Sequence, residues 1–318
     1  MSESLKDILR EEVMALPPRV AEVCDVIEAK HAGCVLAFIY YGSSLRELDN
    51  PEKMLDFYVI VDSYRKTHKS PLRAGLNALI PPAVYYLEHI DSRGVLSTCK
   101  YSIISLAAFE RRCSAKALLS QTWGRFSQPC ALLRPKSQDI TDRIITAREA
   151  AIIHIAKETE PFFDGDVQVH DFWGRAFHES YRTELRPESS VERSAEIVER
   201  YISRYTRVTK TLYPVERGVI SLPDTVRKGA KLRWWMRRLL GKPAAAIRVL
   251  NSAATFDGGV DYIMRKVKNP FRSQSGPYAL PAQTPCAVLA RARLEALAQR
   301  RLSVEPVSYT HLTLPTKA

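Results

Sequence analysis

Residues 34–61, CVLAFIYYGSSLRELDNPEKMLDFYVIV, decide the fold of this chain. The apolar run 34–41 has the length of a buried strand rather than of a helix. Gly42-Ser43-Ser44 stops it. A polar stretch, 46–53, follows with Asp49-Asn50-Pro51 as its turn signal, and a second apolar run at 54–61 reads as the next strand. Asp56 stands in that second strand, a charge among apolar neighbours.

Working outward, 18–30 reads as a helix ending near Gly33, preceded by a short amphipathic helix at the N-terminus. Downstream come a helix at 71–79, strands at 83–88 and 98–104, and a helix capped by Ser105 that runs to about Leu119. Mixed helices and strands predict an α/β domain over 1–122. Beyond Trp123 the β signals fade. A helix is expected at 140–157 and a longer one over 190–210, where Val191, Ala195, Val198, Ile202 and Tyr205 fall at steps of three and four. The fold class expected is therefore α+β. A mixed-sheet domain is followed by a helical domain (123–222), a basic amphipathic region (223–272) and a tail (273–318).

The chain has 318 residues, 46% hydrophobic and 26% charged, an ordinary globular composition. Its six cysteines include no CxxC pair and no histidine at ligand spacing, so disulfides and structural zinc are not expected and a reducing compartment is. No secretory signal is visible. The apolar run 34–41 is far short of the roughly 20 residues of a spanning helix. The net charge of +12 is local: residues 227–272 hold twelve basic side chains against two acidic ones. Such a block favours an anionic surface. Within 227–242 (RKGAKLRWWMRRLLGK), Leu232, Trp235, Met236, Leu239 and Leu240 form an apolar stripe with basic flanks, as an interfacial helix requires. Arg233, Trp234, Trp235, Arg237 and Arg238 are the expected membrane contacts. Nucleic acid is not the expected partner, because no recognised motif accompanies the charge. The expected location is cytoplasmic, attached peripherally to the inner face of a membrane. Residues 307–318 (VSYTHLTLPTKA) match nothing around them and read as foreign sequence.

An apolar strand, Gly42-Ser43, a loop and then Asp56 on the next strand is a pattern with a direct chemical use. Glycine allows a sharp turn that presents backbone N–H groups to a phosphate. The serine hydroxyl adds a donor, and an aspartate on the adjacent strand suits Mg²⁺ held against a triphosphate. The pattern resembles the signature of the polymerase-beta-type nucleotidyltransferase superfamily. That superfamily usually has a second acid two residues after the first, where this chain has Tyr58. Asp62 lies on the same strand face but about 20 Å along it. Glu88 and Glu110 are the later acids considered for completing the site.

Within the superfamily the chain resembles the mitochondrial translocator assembly and maintenance protein family, the mitochondrial-type phosphatidate cytidylyltransferases. The segments that carry the resemblance are YYGSSL (40–45), MLDFYVIVD (54–62), VYYLE (84–88), KYSIIS (100–105), WGRFSQP (123–129) and SYRTELRPE (180–188). That family too places an apolar residue where the second acid is expected. The resemblance implies CTP, phosphatidic acid and Mg²⁺, and a helix near the C-terminus that meets a membrane. It further implies Gly42, Ser43 and Ser44 at the triphosphate, Asp56 as metal ligand and catalytic group, and Lys100 against phosphate charge. Arg125, Tyr181, Arg182 and Arg186 become candidates for the nucleotide or the lipid phosphate. His68 falls near a family Trp-His pair whose Trp is here Thr67. The competing expectations are a nucleotidyltransferase with another acceptor, and a catalytically silent domain of this type that binds lipid or a partner.

Overall fold

The computed structural model describes residues 3–31, 33–46, 50, 53–68, 70–185, 189–223 and 229–255. The expectations for 273–318, for the segment 307–318 and for Arg186 lie outside the described residues.

Five strands form one mixed sheet: β1 (Val35–Tyr41), β2 (Leu55–Val61), β3 (Ala83–Ile90), β4 (Leu96–Ser105) and β5 (Ala131–Leu133). Their spatial order is β3-β4-β2-β1-β5. Only β2 and β4 run parallel. The crossover between them contains α3 (Tyr64–Thr67), α4 (Pro71–Leu79) and β3. β5 was not expected from the sequence: it has three residues and lies between Pro129 and Pro135, which bound any apolar run there.

The sheet is covered on both faces, which explains why its strands read as continuous apolar runs rather than as alternation. One face packs α2 (Pro18–Lys30) through Val20, Val23 and Ile27 onto Phe38, Phe57 and Val59. The other carries Ile39, Tyr58, Ile60 and Ile104. Against these pack α1 (Leu5–Arg10), α5 (Leu106–Cys113), α6 (Gln121–Phe126) and α7 (Gln138–Thr159). This second core continues into α8 (Val169–Tyr181), α9 (Ser190–Arg200), α10 (Ile202–Leu212) and α11 (Ala230–Thr255), where Trp173, Val198, Tyr205 and Trp234 are fully buried. A small second sheet, β6 (Val167–Gln168), β7 (Val215–Glu216) and β8 (Val219–Ile220), closes the end of α8. The fold is α+β, as expected.

Three helical boundaries differ from the sequence reading. The capped helix after Ser105 ends at Cys113 rather than near Leu119. The helix expected over 190–210 is two helices, because Tyr201 leaves the helical region at φ −117°, ψ 27°. The break re-aims the face: Ser194 and Ile197 turn inward, while Val191 and Ile202 are exposed. α11 also runs on to Thr255, past Pro243, which lies on its solvent side. There a missing N–H and a local bend are tolerated.

Buried ion pairs hold α11 and the N-terminal segment in place. Glu158 of α7 accepts from Arg237 at 2.6 Å and from Arg233 at 3.0 Å, and its carbonyl accepts from the Trp234 indole. Burial pushes the Glu158 carboxyl up, but the two guanidinium groups outweigh it and hold it below the ordinary value. Glu12 sits in the same way between Arg148 and Arg204. Gly241 lets α11 approach the end of α8: a Cβ there would lie 2.5 Å from the Thr183 carbonyl oxygen. Gly75, exposed on α4, meets nothing within 4 Å. Alanine in a helix gains about 1 kcal/mol over glycine, whereas forcing apart a packed backbone costs about 1–3 kcal/mol. Gly75→Ala is therefore expected to raise the urea midpoint and Gly241→Ala to lower it. Chemical denaturation of both variants checks this.

Candidate active site

β1 ends in Tyr41 and the chain turns at Gly42, whose φ of +90° is unfavourable for any residue with a Cβ. Space makes the same demand, since a Cβ would lie 3.0 Å from Asp56 Oδ2. A short 3₁₀ turn, Ser43–Arg46, follows. Ser43 is half-buried at its start. Ser44 is fully buried and faces the Tyr40 hydroxyl, so Ser43 is the serine at the mouth of the turn.

The sheet register builds the rest. Tyr41 of β1 is opposite Asp56 of β2, Asp56 opposite Lys100 of β4, and Lys100 opposite Tyr86 of β3. These four side chains share one face in a row across four strands, spaced by about 4.8 Å per strand. Asp56 and Lys100 are both buried. The start of β2 is fixed from behind by Arg19, which donates to the carbonyls of Asn50 and Lys53 and to Ser97 Oγ of β4.

Over this row lies α6. The Arg125 guanidinium stacks on the Tyr41 ring, 5.0 Å from its centroid. Arg125 Nη2 is also 3.6 Å from Glu184 Oε2, with both side chains buried. The Tyr181 hydroxyl donates to Gln128 Oε1 at 3.0 Å, and the Gln128 amide donates to the Gly124 carbonyl, joining α8 to α6 behind Arg125. The structure thus brings together Gly42, Ser43, Asp56, Lys100 and Arg125, with Tyr181 one layer behind. Glu184 was missed in the sequence. It lies inside SYRTELRPE, whose arginines drew attention while the acid between them did not.

Other candidates lie elsewhere. Arg182 turns to Glu179 at 3.6 Å, a carboxylate it shares with Arg175 and Arg238. Glu110 is held by two bonds to Arg143, at 2.7 and 3.0 Å. Glu88 accepts from Tyr86 at 2.8 Å, further along the row and exposed. His68 is on the opposite face of the sheet, stacked between Tyr64 and Tyr85. Its ring nitrogens meet Asn77 Nδ2 at 2.9 Å and the Tyr85 hydroxyl at 3.0 Å, which is a structural histidine's environment.

Among the described residues, no three His, Cys, Asp or Glu side chains gather to hold a metal. A divalent ion that keeps several waters and binds through one carboxylate and substrate phosphates asks for less. Asp56, placed against the Cβ-free face of Gly42, fits that requirement.

α11 carries the residues expected at a membrane, and the structure divides them. Trp234 and Arg237 face inward: the Trp234 indole packs edge-on to Trp123, and the Arg237 guanidinium lies over both rings. Arg233 and Arg238 are partly buried in ion pairs. Trp235 is exposed, together with Leu232, Met236, Leu239, Leu240 and Ile247. The inward face thus carries buried arginines beside Trp234, while the other large apolar side chains named here face outward. No helix among the described residues is long and apolar enough to cross a membrane.

No protein-family model matches the chain, and no curated protein matches it. Among solved structures, it is similar to a nucleotidyltransferase-like protein from Exiguobacterium sibiricum 255-15. The identity is 10%, the match covers 89% of this chain and 90% of that one, and the TM-score is 0.25. At that TM-score the likeness supports neither a fold nor an activity.

The His68 environment makes a prediction of its own. Burial, then His31 and Arg73 nearby, lower its pKa from 6.5 to about 4. The unfolded chain takes up this proton near 6.5 while the folded chain resists it to about 4. Stability therefore falls as the pH drops through that window, and this contribution stops changing below it. Urea midpoints between pH 7.5 and about 4 should fall less steeply in His68→Gln than in the parent. Parallel slopes would show that the imidazole does not carry the effect.

Proposed function

We propose that this chain is a CTP:phosphatidate cytidylyltransferase, which forms CDP-diacylglycerol and pyrophosphate from CTP and phosphatidic acid at a membrane surface. The observation that carries the reading is the contact of the Gly42 turn with Asp56, 3.0 Å from an absent Cβ. A strand-end backbone turn against a carboxylate supports a triphosphate and its metal binding there. Lys100 and Arg125 supply positive charge on either side of that point. The choice of CTP and phosphatidic acid is supported by the family resemblance of the segments that hold Gly42, Asp56, Lys100, Arg125 and Tyr181.

In this reading Gly42 and Ser43 cradle the triphosphate, and Asp56 would hold Mg²⁺. When bound, that ion neutralises phosphate charge and helps orient an in-line displacement. A phosphate oxygen of phosphatidic acid attacks the α-phosphorus of CTP and forms the new P–O bond. The bond from that phosphorus to the bridging oxygen breaks, and pyrophosphate leaves with the electron pair. A phosphomonoester has a second pKa of about 6, so its oxygen is already ionised near neutral pH. No side chain must act as a strong base. That suits a site with Tyr58 in place of a second acid. Lys100 and Arg125 stabilise the charge on the transferring and leaving phosphates. Glu184 positions Arg125 and limits where its guanidinium can point.

The exposed stripe of α11 supports the membrane part. Six large apolar side chains facing outward on one helix exceed the scattered exposure usual on a soluble surface. Lys231 and Lys242 lie exposed on the same helix, as an anionic lipid surface favours.

A catalytically silent lipid-binding domain is the second reading, favoured by Tyr58 at the second-acid position. The deciding experiment incubates the protein with α-labelled CTP, Mg²⁺ and phosphatidic acid vesicles, and follows label into the lipid phase. Transfer is expected, with a loss in Asp56→Asn of about a hundredfold or more. Vesicle binding without transfer would leave the silent domain.

A further inference from the structure

One buried carboxylate organises three guanidinium groups where the end of α8 meets α11. Glu179 Oε1 is 3.1 Å from Arg175 Nη2 and 3.6 Å from Arg182 Nη1, and Glu179 Oε2 is 3.5 Å from Arg238 Nη1. The Glu179 side chain is 2% exposed, whereas those of Arg175, Arg182 and Arg238 are 41%, 44% and 27% exposed. Solvent therefore meets the cations and not the acid. Three positive charges over one negative leave a surplus of two, and about four lone-pair sites cannot occupy the donors of three guanidinium groups. The arrangement is also held in place. Arg175 lies over the Phe162 ring, 4.3 Å from its centroid. Arg238 is brought up by the close approach of α11, at Gly241, to the Thr183 carbonyl.

The cluster borders the exposed apolar stripe. At 3.6 residues per turn, Lys231, Arg238 and Lys242 fall within about 40° of one another around α11. Both lysines are exposed. The next position around the helix on the outward side is Trp235, 54% exposed, and beyond it lies Leu239. One flank of the stripe is thus a row of cations, which Arg175 and Arg182 extend onto α8. The opposite flank carries Arg233, whose charge is met by Glu158 at 3.0 Å. The last turn of α8 also reaches the candidate site: Tyr181, next to Arg182 in the chain, is buried and donates to Gln128 behind Arg125.

We propose that Arg175, Arg182 and Arg238, preorganised by Glu179, bind the phosphate headgroups of anionic lipids while the adjoining stripe of α11 enters the bilayer surface. The assignment rests on the membrane part of the reading above and not on the transfer reaction. Guanidinium groups match phosphate oxygens in charge and in hydrogen-bonding shape. A cationic row beside an apolar stripe ending in a tryptophan suits the boundary between headgroups and acyl chains. Because the cations lie on one flank only, they select which side of α11 turns to the headgroups and so fix the orientation of the bound protein.

The test is flotation of the full chain with phosphatidylcholine vesicles that contain or lack phosphatidylglycerol. Arg175→Gln and Arg182→Gln each leave Glu179 with two guanidinium partners. Each should weaken partition onto the phosphatidylglycerol vesicles about fivefold, while matching the parent on phosphatidylcholine alone. Trp235→Ser should weaken both. Lys at positions 175 and 182 should restore most of the binding, which guards against a variant that fails to fold. Lys30→Gln, on α2 over the other face of the sheet, should change binding by less than about twofold. Undiminished binding in both Gln variants, or an equal loss in Lys30→Gln, would overturn the proposal and leave the membrane reading standing. A parent protein that binds neither kind of vesicle would overturn both. Release by inorganic phosphate beyond that by chloride of equal ionic strength would assign the cluster to a free anion and overturn the lipid assignment. If the Gln variants lose affinity for a duplex oligonucleotide but not for vesicles, the cluster serves nucleic acid and the proposal fails.

Discussion

The approach of Gly42 to the Asp56 carboxylate is the contact on which the other features of the site depend. Asp56 is buried at the second residue of an otherwise apolar strand, a costly position for a carboxylate unless charge or polar groups meet it. The turn at Gly42 brings backbone to that carboxylate because no Cβ intervenes. The sheet register then sets Lys100 beside it from the parallel neighbour strand, and Arg125 arrives from above on the Tyr41 ring. Each element can be placed only after β1 and β2 pair in this register. A slip of one residue would send Asp56 to the α2 face, among Phe57 and Val59.

A second constraint is the burial of charge away from the site. Glu158 with Arg233 and Arg237 fastens α11 to α7, and Glu12 with Arg148 and Arg204 fastens the N-terminal segment to α7 and α10. Such pairs contribute little net stability compared with apolar replacements, but removing one partner leaves an uncompensated charge and costs several kcal/mol. Their effect is on geometry. They fix which face of α11 turns inward and so present the apolar stripe outward.

Much of this was legible in the sequence. β1 and β2 are apolar runs with sharp polar boundaries, and the Gly42, Ser43 and Asp56 spacing stands inside them. The outward stripe of α11 was legible from its spacing. The mistake of grouping Trp234 and Arg237 with it has a simple cause: at about 100° per residue Trp234 falls on the side of the helix opposite the stripe, and Arg237 falls outside it. What could not be read was tertiary. His68 occupies a suggestive place in the chain but sits on the other side of the sheet, and sequence position does not specify the face. Glu184 becomes interesting only through Arg125, which is distant in sequence. The two-residue strands β6 to β8 are too short to leave a periodic signal.

The central claim is that the Gly42–Asp56 contact forms a nucleotide-triphosphate cradle, and calorimetric titration of CTP with Mg²⁺ into the protein and into Gly42→Ala tests it without a lipid or a catalytic turnover. The account predicts binding to the parent protein that requires Mg²⁺, weakened about tenfold or more in Gly42→Ala, with the variant still folded by circular dichroism. Undiminished binding to a folded Gly42→Ala protein would contradict it, because the added Cβ crowds the Asp56 carboxylate and strains a turn held at φ +90°.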